Sequence, residues 1–437
     1  MKLAIGKDLK KSNSISFIIY GMVVAFCTYT CMYAFRKPIM VATFSQQLYF
    51  GIDYKVLLIT AQIIGYTVSK FIGIKVVSEL SGNRRAWGII LLISISGVAL
   101  VLFALTPAPY NLFFIFINGL PLGMIWGLIF SYLEGRKSTE LLGIGLAITQ
   151  IFSSGLVKTV GKSLLLDWRI SEVWMPFLTA IVFLLPLLFF VYLLNQLPPP
   201  DYQDIMMRAA RKPMNRKERW RFFILFMPGL IFLILTYTFL TVYRDFRDNF
   251  SADIWNSLGY SHNSLIFTQT EIPIFLVVMT VVGMMVWINS NYWALLMNHL
   301  LVILGVGIVG ISTRLFQLGQ LSPEVWMIWI GLGLYLAYTT FSLMLFERLM
   351  STFRYVGTVG FIMYLADSCG YLGSVIMLFY KNYVHSHISW LDFFIYLSYW
   401  LSSFCIIFML MSLVYFQVKY YYNFRKNILH KSSITLT

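Results

Sequence analysis

Long apolar runs recur from one end of this chain to the other, and they decide what solvent it can fold in. Twelve of them approach or exceed the roughly 20 residues needed to cross hydrocarbon. They cover residues 14–48, 56–78, 87–106, 109–133, 139–162, 172–195, 222–247, 264–288, 292–315, 323–346, 355–380 and 390–418. Charged residues make up 12% of the chain, against about 25% in a soluble domain, so no large soluble domain fits between the runs. A backbone in lipid must satisfy its own polar groups, and runs of this length do so as helices. The expected fold class is an all-α integral membrane protein with twelve transmembrane helices. The first run lacks a small-residue cleavage site after it, so it is expected to be retained as a span.

The basic residues are unevenly placed. Clusters occur in the first eleven residues, at Arg84–Arg85, at Arg136–Lys137, through 196–221, at Arg348 and Arg354, and after residue 418. These all fall on one side of a twelve-span chain. The other side holds Lys55, Lys158, Lys162, Arg169, Arg314 and Lys381. Lysine and arginine mark cytoplasmic loops, so both termini are expected in the cytoplasm and the protein in the inner (plasma) membrane. Much of the +15 net charge is thereby explained by topology. Its scatter over short loops argues against nucleic-acid binding. The four cysteines lie within apolar runs, so no disulfide, metal or cofactor is expected.

The longest polar stretch, 196–221, opens with three prolines and divides six spans from six. The expected organisation is an N-terminal half (1–195), a basic cytoplasmic linker (196–221) and a C-terminal half (222–437). The first span of each half carries a related segment, "TYTCMYAFRKP" from residue 28 and "TYTFLTVYRDFR" from residue 236. Each places an arginine, Arg36 or Arg244, eight residues after its first threonine. A 6+6 chain with both ends on one side fits the major facilitator fold, a pseudo-two-fold pair of halves with substrate at the midplane between them.

Charges inside a span cost about 2.5–3.5 kcal/mol each on insertion scales and therefore point to function. Arg36 and Arg244 are expected to face one cavity, where planar guanidinium groups match carboxylate or phosphate. Tyr29, Tyr33 and Tyr237 share a face or turn with them. Lys70 stands mid-span with Tyr66 one turn before it. Asp367 and Glu271 are candidates for proton coupling or ion pairing. Glu134 and Glu140 beside Arg136–Lys137, and Glu347 beside Arg348 and Arg354, read as loop ion pairs.

At these residues the chain resembles the organophosphate:phosphate antiporter group of major facilitator transporters. "YAFRK" is similar to that group's first-span segment, "SKFIG" (69–73) to its second, "GNRR" (82–85) to its loop after span 2, "LDWRISEVWMPF" (166–177) to its entry into span 6, and "GYLGSV" (370–375) to its span 11. The resemblance implies that Arg36 and Arg244 or Arg247 hold a phosphate, with Lys37 and Lys70 as supporting charge. Where that group has a span 5 histidine, this chain has "AITQIFSSG", and Gln150 is the counterpart. The expected function is secondary transport of a small organic anion, a phosphate ester favoured, by a monomer. The alternatives are a proton-coupled symporter of a sugar, peptide or other solute using Asp367 or Glu271, and a transporter-like sensor. An enzyme is not expected.

Overall fold

The computed structural model describes residues 15–45, 47–79, 84–134, 136, 138–198, 216–353, 360–384 and 387–434. Its first half contains α1 (Ile15–Tyr33), α2 (Tyr54–Glu79), α3 (Arg85–Leu105), α4 (Leu112–Leu133), α5 (Thr139–Leu166) and α6 (Met175–Leu194). The second contains α7 (Arg216–Asn249), α8 (Ile266–Met285), α9 (Asn291–Gln317), α10 (Pro323–Thr352), α11 (Gly360–Val384) and α12 (Trp390–Ile434). A two-residue hairpin, β1 (Leu48–Tyr49) and β2 (Ile52–Asp53), precedes α2.

Among the described residues, ten of these helices are long and apolar enough to span a bilayer. The other two are α2 and α11, which carry Lys70 and Asp367. They solve the cost of their charges together, because they pack against each other and pair those two side chains. Phe189, Leu185, Leu304 and Ile311 are exposed on the outside of the bundle. An apolar exterior of this kind is covered by lipid.

The halves meet along two seams. On one, α5 lies antiparallel to α8. Gly155 is a close-approach point there, since a Cβ on it would stand 2.9 Å from the carbonyl oxygen of Phe267. Thr159 and Thr268 share a hydroxyl bond of 2.7 Å on the same seam. Ile144, Ile148 and Ile151 continue the contact against Ile274, Val278 and Val282. On the other seam, the Tyr66 and Tyr371 rings of α2 and α11 lie 6.0 Å apart.

The start of α1 and the end of α12 lie on one face, called here the terminal face. Arg136, in the loop before α5, packs its guanidinium 4.7 Å from the ring of Phe17 and donates to the Pro198 carbonyl after α6. In the second half, Tyr292 at the start of α9 donates to Gln417 of α12 at 2.6 Å, and Arg348 donates to Asn291 at 2.9 Å. Arg136 and Arg348 thus tie helices within their own halves. Residues 199–215 of the expected linker, Lys137, the side chain of Glu140, Arg354 and the first two residues of "GNRR" lie outside the described set. Helix α7 starts at Arg216, within the expected linker.

Candidate functional site

The first apolar run is not one continuous span. Helix α1 ends at Tyr33, and Pro38 explains why. Proline has no N–H with which to continue the ladder, so the chain tightens. The amides of Ala34, Phe35 and Arg36 bond three residues back, and a 3₁₀ turn follows at Pro38–Met40. Helix ends leave carbonyls unpaired, and inside a membrane each must find a partner. Asn118 of α4 donates to the Phe35 carbonyl at 3.0 Å, and Gln62 of α2 donates to that of Arg36 at 3.3 Å. Gln62 also donates to Asn118 Oδ1 at 2.8 Å, so a buried amide relay fixes the backbone that carries Arg36.

The guanidinium of Arg36 lies 3.9 Å over the ring of Tyr66. Its Nε is buried and has no hydrogen-bond partner, and among the described residues no carboxylate pairs with it. The other central cations are matched. Lys70 donates to Asp367 at 2.9 Å and lies 4.6 Å over Tyr371. Asp367 also accepts from the Tyr237 hydroxyl at 2.7 Å, and Tyr237 meets the Tyr338 hydroxyl at 3.1 Å. Arg244 lies 4.3 Å over Tyr338 and donates through Nε and Nη2 to one oxygen of Asp245, at 3.0 and 2.7 Å. The other Asp245 oxygen accepts from Ser374 of α11 at 2.8 Å. The neighbouring Tyr66 and Tyr371 rings join Arg36 to Lys70, and the Tyr237–Tyr338 hydroxyl contact joins Asp367 to Arg244, so all three cations belong to one centre. Tyr29 and Tyr33, ring to ring at 5.2 Å, complete its α1 wall.

A second charged layer lies nearer the face opposite the termini. Asp248, near the end of α7, takes Lys37 on one oxygen, and Lys158 of α5 and Ser154 on the other. Lys158 also donates to the Asp248 carbonyl at 2.6 Å and to Ser251 at 3.1 Å. Lys55 at the start of α2 pairs with Asp253 at 2.6 Å. Each of these contacts joins one half to the other. Beside them Arg247 donates to Glu271 at 2.7 Å and to the Met327 carbonyl at 3.3 Å.

The two layers sort the residues expected to bind substrate. Arg36, Lys70, Arg244, Tyr29, Tyr33, Tyr237 and Asp367 come together in the centre. Lys37 and Arg247 do not join them: both are buried and bound to carboxylates in the outer layer, with Glu271. Gln150 is half-buried on α5, and its side chain makes no hydrogen bond among the described residues. Sequence reasoning missed Gln62 and Asn118, and it did not join Lys158 to Asp248. The amides Gln62 and Asn118 were visible as polar residues in otherwise apolar runs.

Twelve helices in two six-helix halves, meeting along the α2–α11 and α5–α8 seams around a central charged layer, make up the major facilitator fold. Solved structures share it. A point mutant of the nucleoside transporter NupG superposes with a TM-score of 0.62 at 16% identity, over 90% of this chain and 99% of that one. A bacterial homologue of the human drug peptide transporters PepT1 and PepT2 gives 0.58 at 12% identity, over 92% and 98%. Another NupG structure gives 0.53 at 14%, over 90% and 98%. The chain belongs to a family described as a family of unknown function, DUF5690, whose pattern matches residues 38–419. No curated protein matches it.

Proposed function

We propose that this protein is a secondary transporter that moves a small organic anion across the membrane by alternating access, with the terminal face in the cytoplasm. The observation that carries the reading is Arg36. A buried guanidinium nitrogen with no partner is costly, and a charge at that depth calls for a counter-charge. Among the described residues none is supplied, so the counter-charge is assigned to the substrate. Arginine offers a planar fork that a carboxylate or phosphate fills with two parallel bonds.

The outer layer supplies the gate. With Asp248 and Asp253 bound to lysines of the first half, the side opposite the termini is held shut. Rocking the halves apart there exposes Lys37, Lys55 and Lys158 to water and to incoming anions. Transport by the similar nucleoside and peptide transporters named above supports movement of an organic solute on this fold. The basic loops on the terminal face support the orientation.

The test is counterflow in proteoliposomes. Vesicles preloaded with a pool of organic anions should accumulate labelled anion, and Arg36→Lys should lose most of that uptake although charge is kept. Uptake of neutral sugars or peptides alone, unaffected by Arg36→Lys, would overturn the reading.

A second reading has its own observation. The Oε2 of Glu271 is buried without a partner, an arrangement that a bound proton would relieve. In that reading Glu271 couples solute movement to a proton gradient. Gradient-driven uptake that Glu271→Gln abolishes while counterflow survives is its signature.

A further inference from the structure

The central layer can be counted. Among the described residues, those facing the tyrosine-lined centre are Arg36 from the turn after α1, Lys70 from α2, Arg244 and Asp245 from α7, and Asp367 from α11. The α10 residue against Arg244, Tyr338, is neutral. Two of the three cations are already held by the two carboxylates. We infer that the centre has room for a single negative charge, so that its ligand is an organic monoanion, of the carboxylate type, rather than a dianionic phosphate ester. This rests on the anion reading above and narrows it.

Geometry supports the count. Arg244 spends its Nε and one Nη on Asp245, and the second oxygen of that carboxylate is anchored to Ser374. It is therefore not free to form the second half of a two-arginine clamp. Lys70 and Asp367 are each about a quarter exposed, at 25% of the side chain, but they hold each other, and Tyr237 takes the other oxygen of Asp367. Arg36 keeps a buried, unbonded Nε, and one face of its guanidinium is covered by Tyr66. What remains is the edge of the fork, which suits one planar carboxylate.

The outer layer has one cation more than carboxylates, because Lys37 and Lys158 share Asp248, but that charge is not directed at the centre. Its lysines share Asp248 with side chains only 6% and 4% exposed, and their donors serve the contact between halves. A second negative charge on the ligand would be desolvated at the centre without a partner, the costly case for buried ions.

The experiment uses the full chain in lipid nanodiscs at pH 8 and size-matched probes. Benzoate and methyl phenyl phosphate carry one charge; phthalate and phenyl phosphate carry two. Thermal stabilisation is measured against probe concentration. The expected result is a half-effective concentration at least about tenfold lower for the one-charge probes, equivalent to about 1.4 kcal/mol. Asp367→Asn raises the central charge by one and should narrow or reverse the gap. Asp245→Asn does the same from another helix and serves if the first variant fails to fold. Equal or better stabilisation by the two-charge probes in the unmodified protein overturns the monoanion inference and leaves the anion reading standing. Stabilisation by none of the four overturns both.

Discussion

The two Thr-Tyr-Thr segments begin alike and end differently. Thr28 and Thr236 are both fully buried, and each hydroxyl donates to the carbonyl four residues back, at 2.7 and 2.8 Å. Tyr29 and Tyr237 are both buried at the centre. Eight residues on, the halves part. After Arg36 come Lys37 and Pro38, and the helix has already stopped. After Arg244 comes Asp245, and the helix runs on through Asp248 to Asn249. The first half thus presents a cation on a turn without an acid beside it. The second presents a cation with its counter-charge built in, and an acid left over for the lysines of the first half. A shared motif places two arginines, and their immediate neighbours decide which one is available.

The largest effect should come from the acid that α7 lends to α1 and α5. Asp248→Asn leaves Lys37 and Lys158 without a carboxylate at a buried interface. Breaking one side of such a pair costs about 3–5 kcal/mol, and here the loss falls on the contact between halves. A cysteine placed at Ser251 should become labelled by an impermeant thiol reagent in the Asp248→Asn background and stay protected otherwise. Equal protection in both would mean that Asp248 is not a latch.

Next comes the free arginine itself. Arg36→Gln removes the fork and should weaken binding of the best anion by about 2–5 kcal/mol, the range for losing one partner of a buried charged hydrogen bond. Melting temperature without ligand should hold or rise, because an unpaired buried charge is removed. A marked drop in stability would show that Arg36 has a structural partner instead.

How far the sequence reached follows from the same two segments. The spans were legible because hydrocarbon demands long apolar runs, and the repeat was legible because both halves put Thr-Tyr-Thr at the same place in their first run. The end of α1 was misjudged: the apolar residues on either side of "RKP", up to Phe35 and again from Ile39, hide the effect of Pro38. Pairing was legible only in part: Asp245 stands beside Arg244 and Asp367 read as a candidate for ion pairing, but which cation each distant acid takes was not. Lys70 and Asp367 are 297 positions apart, and Lys37 and Asp248 are 211 apart. Only the packing of α2 on α11, and of α1 and α5 on the end of α7, determines which cation is neutralised. That is why the sequence could not assign Lys37 and Arg247 to the outer layer.

A charge-neutral deletion tests that inequality. Arg244→Gln combined with Asp245→Asn removes an ion pair whose members already satisfy each other, so the net charge of the centre is unchanged. Anion affinity in the double variant should stay within about threefold, or about 0.7 kcal/mol. A loss as large as that of Arg36→Gln would show both arginines on the ligand and would restore the two-arginine clamp.

The smallest effects should come from the part of the motif that is the same in both halves. Thr28→Val and Thr236→Val keep the shape of a buried β-branched side chain. Each removes only a hydroxyl bond to a carbonyl that its own helix already uses, and such back-bonding adds little to a helix and often bends it. Both changes should therefore alter stability by no more than about 0.5 kcal/mol, the usual bound where no special feature is lost, and by the same amount in either half. Thermal melting of the two variants side by side measures this. A clear loss for Thr28→Val alone would mean that its hydroxyl helps set the turn that presents Arg36. The difference between the halves would then begin ten residues before Pro38, inside the repeat.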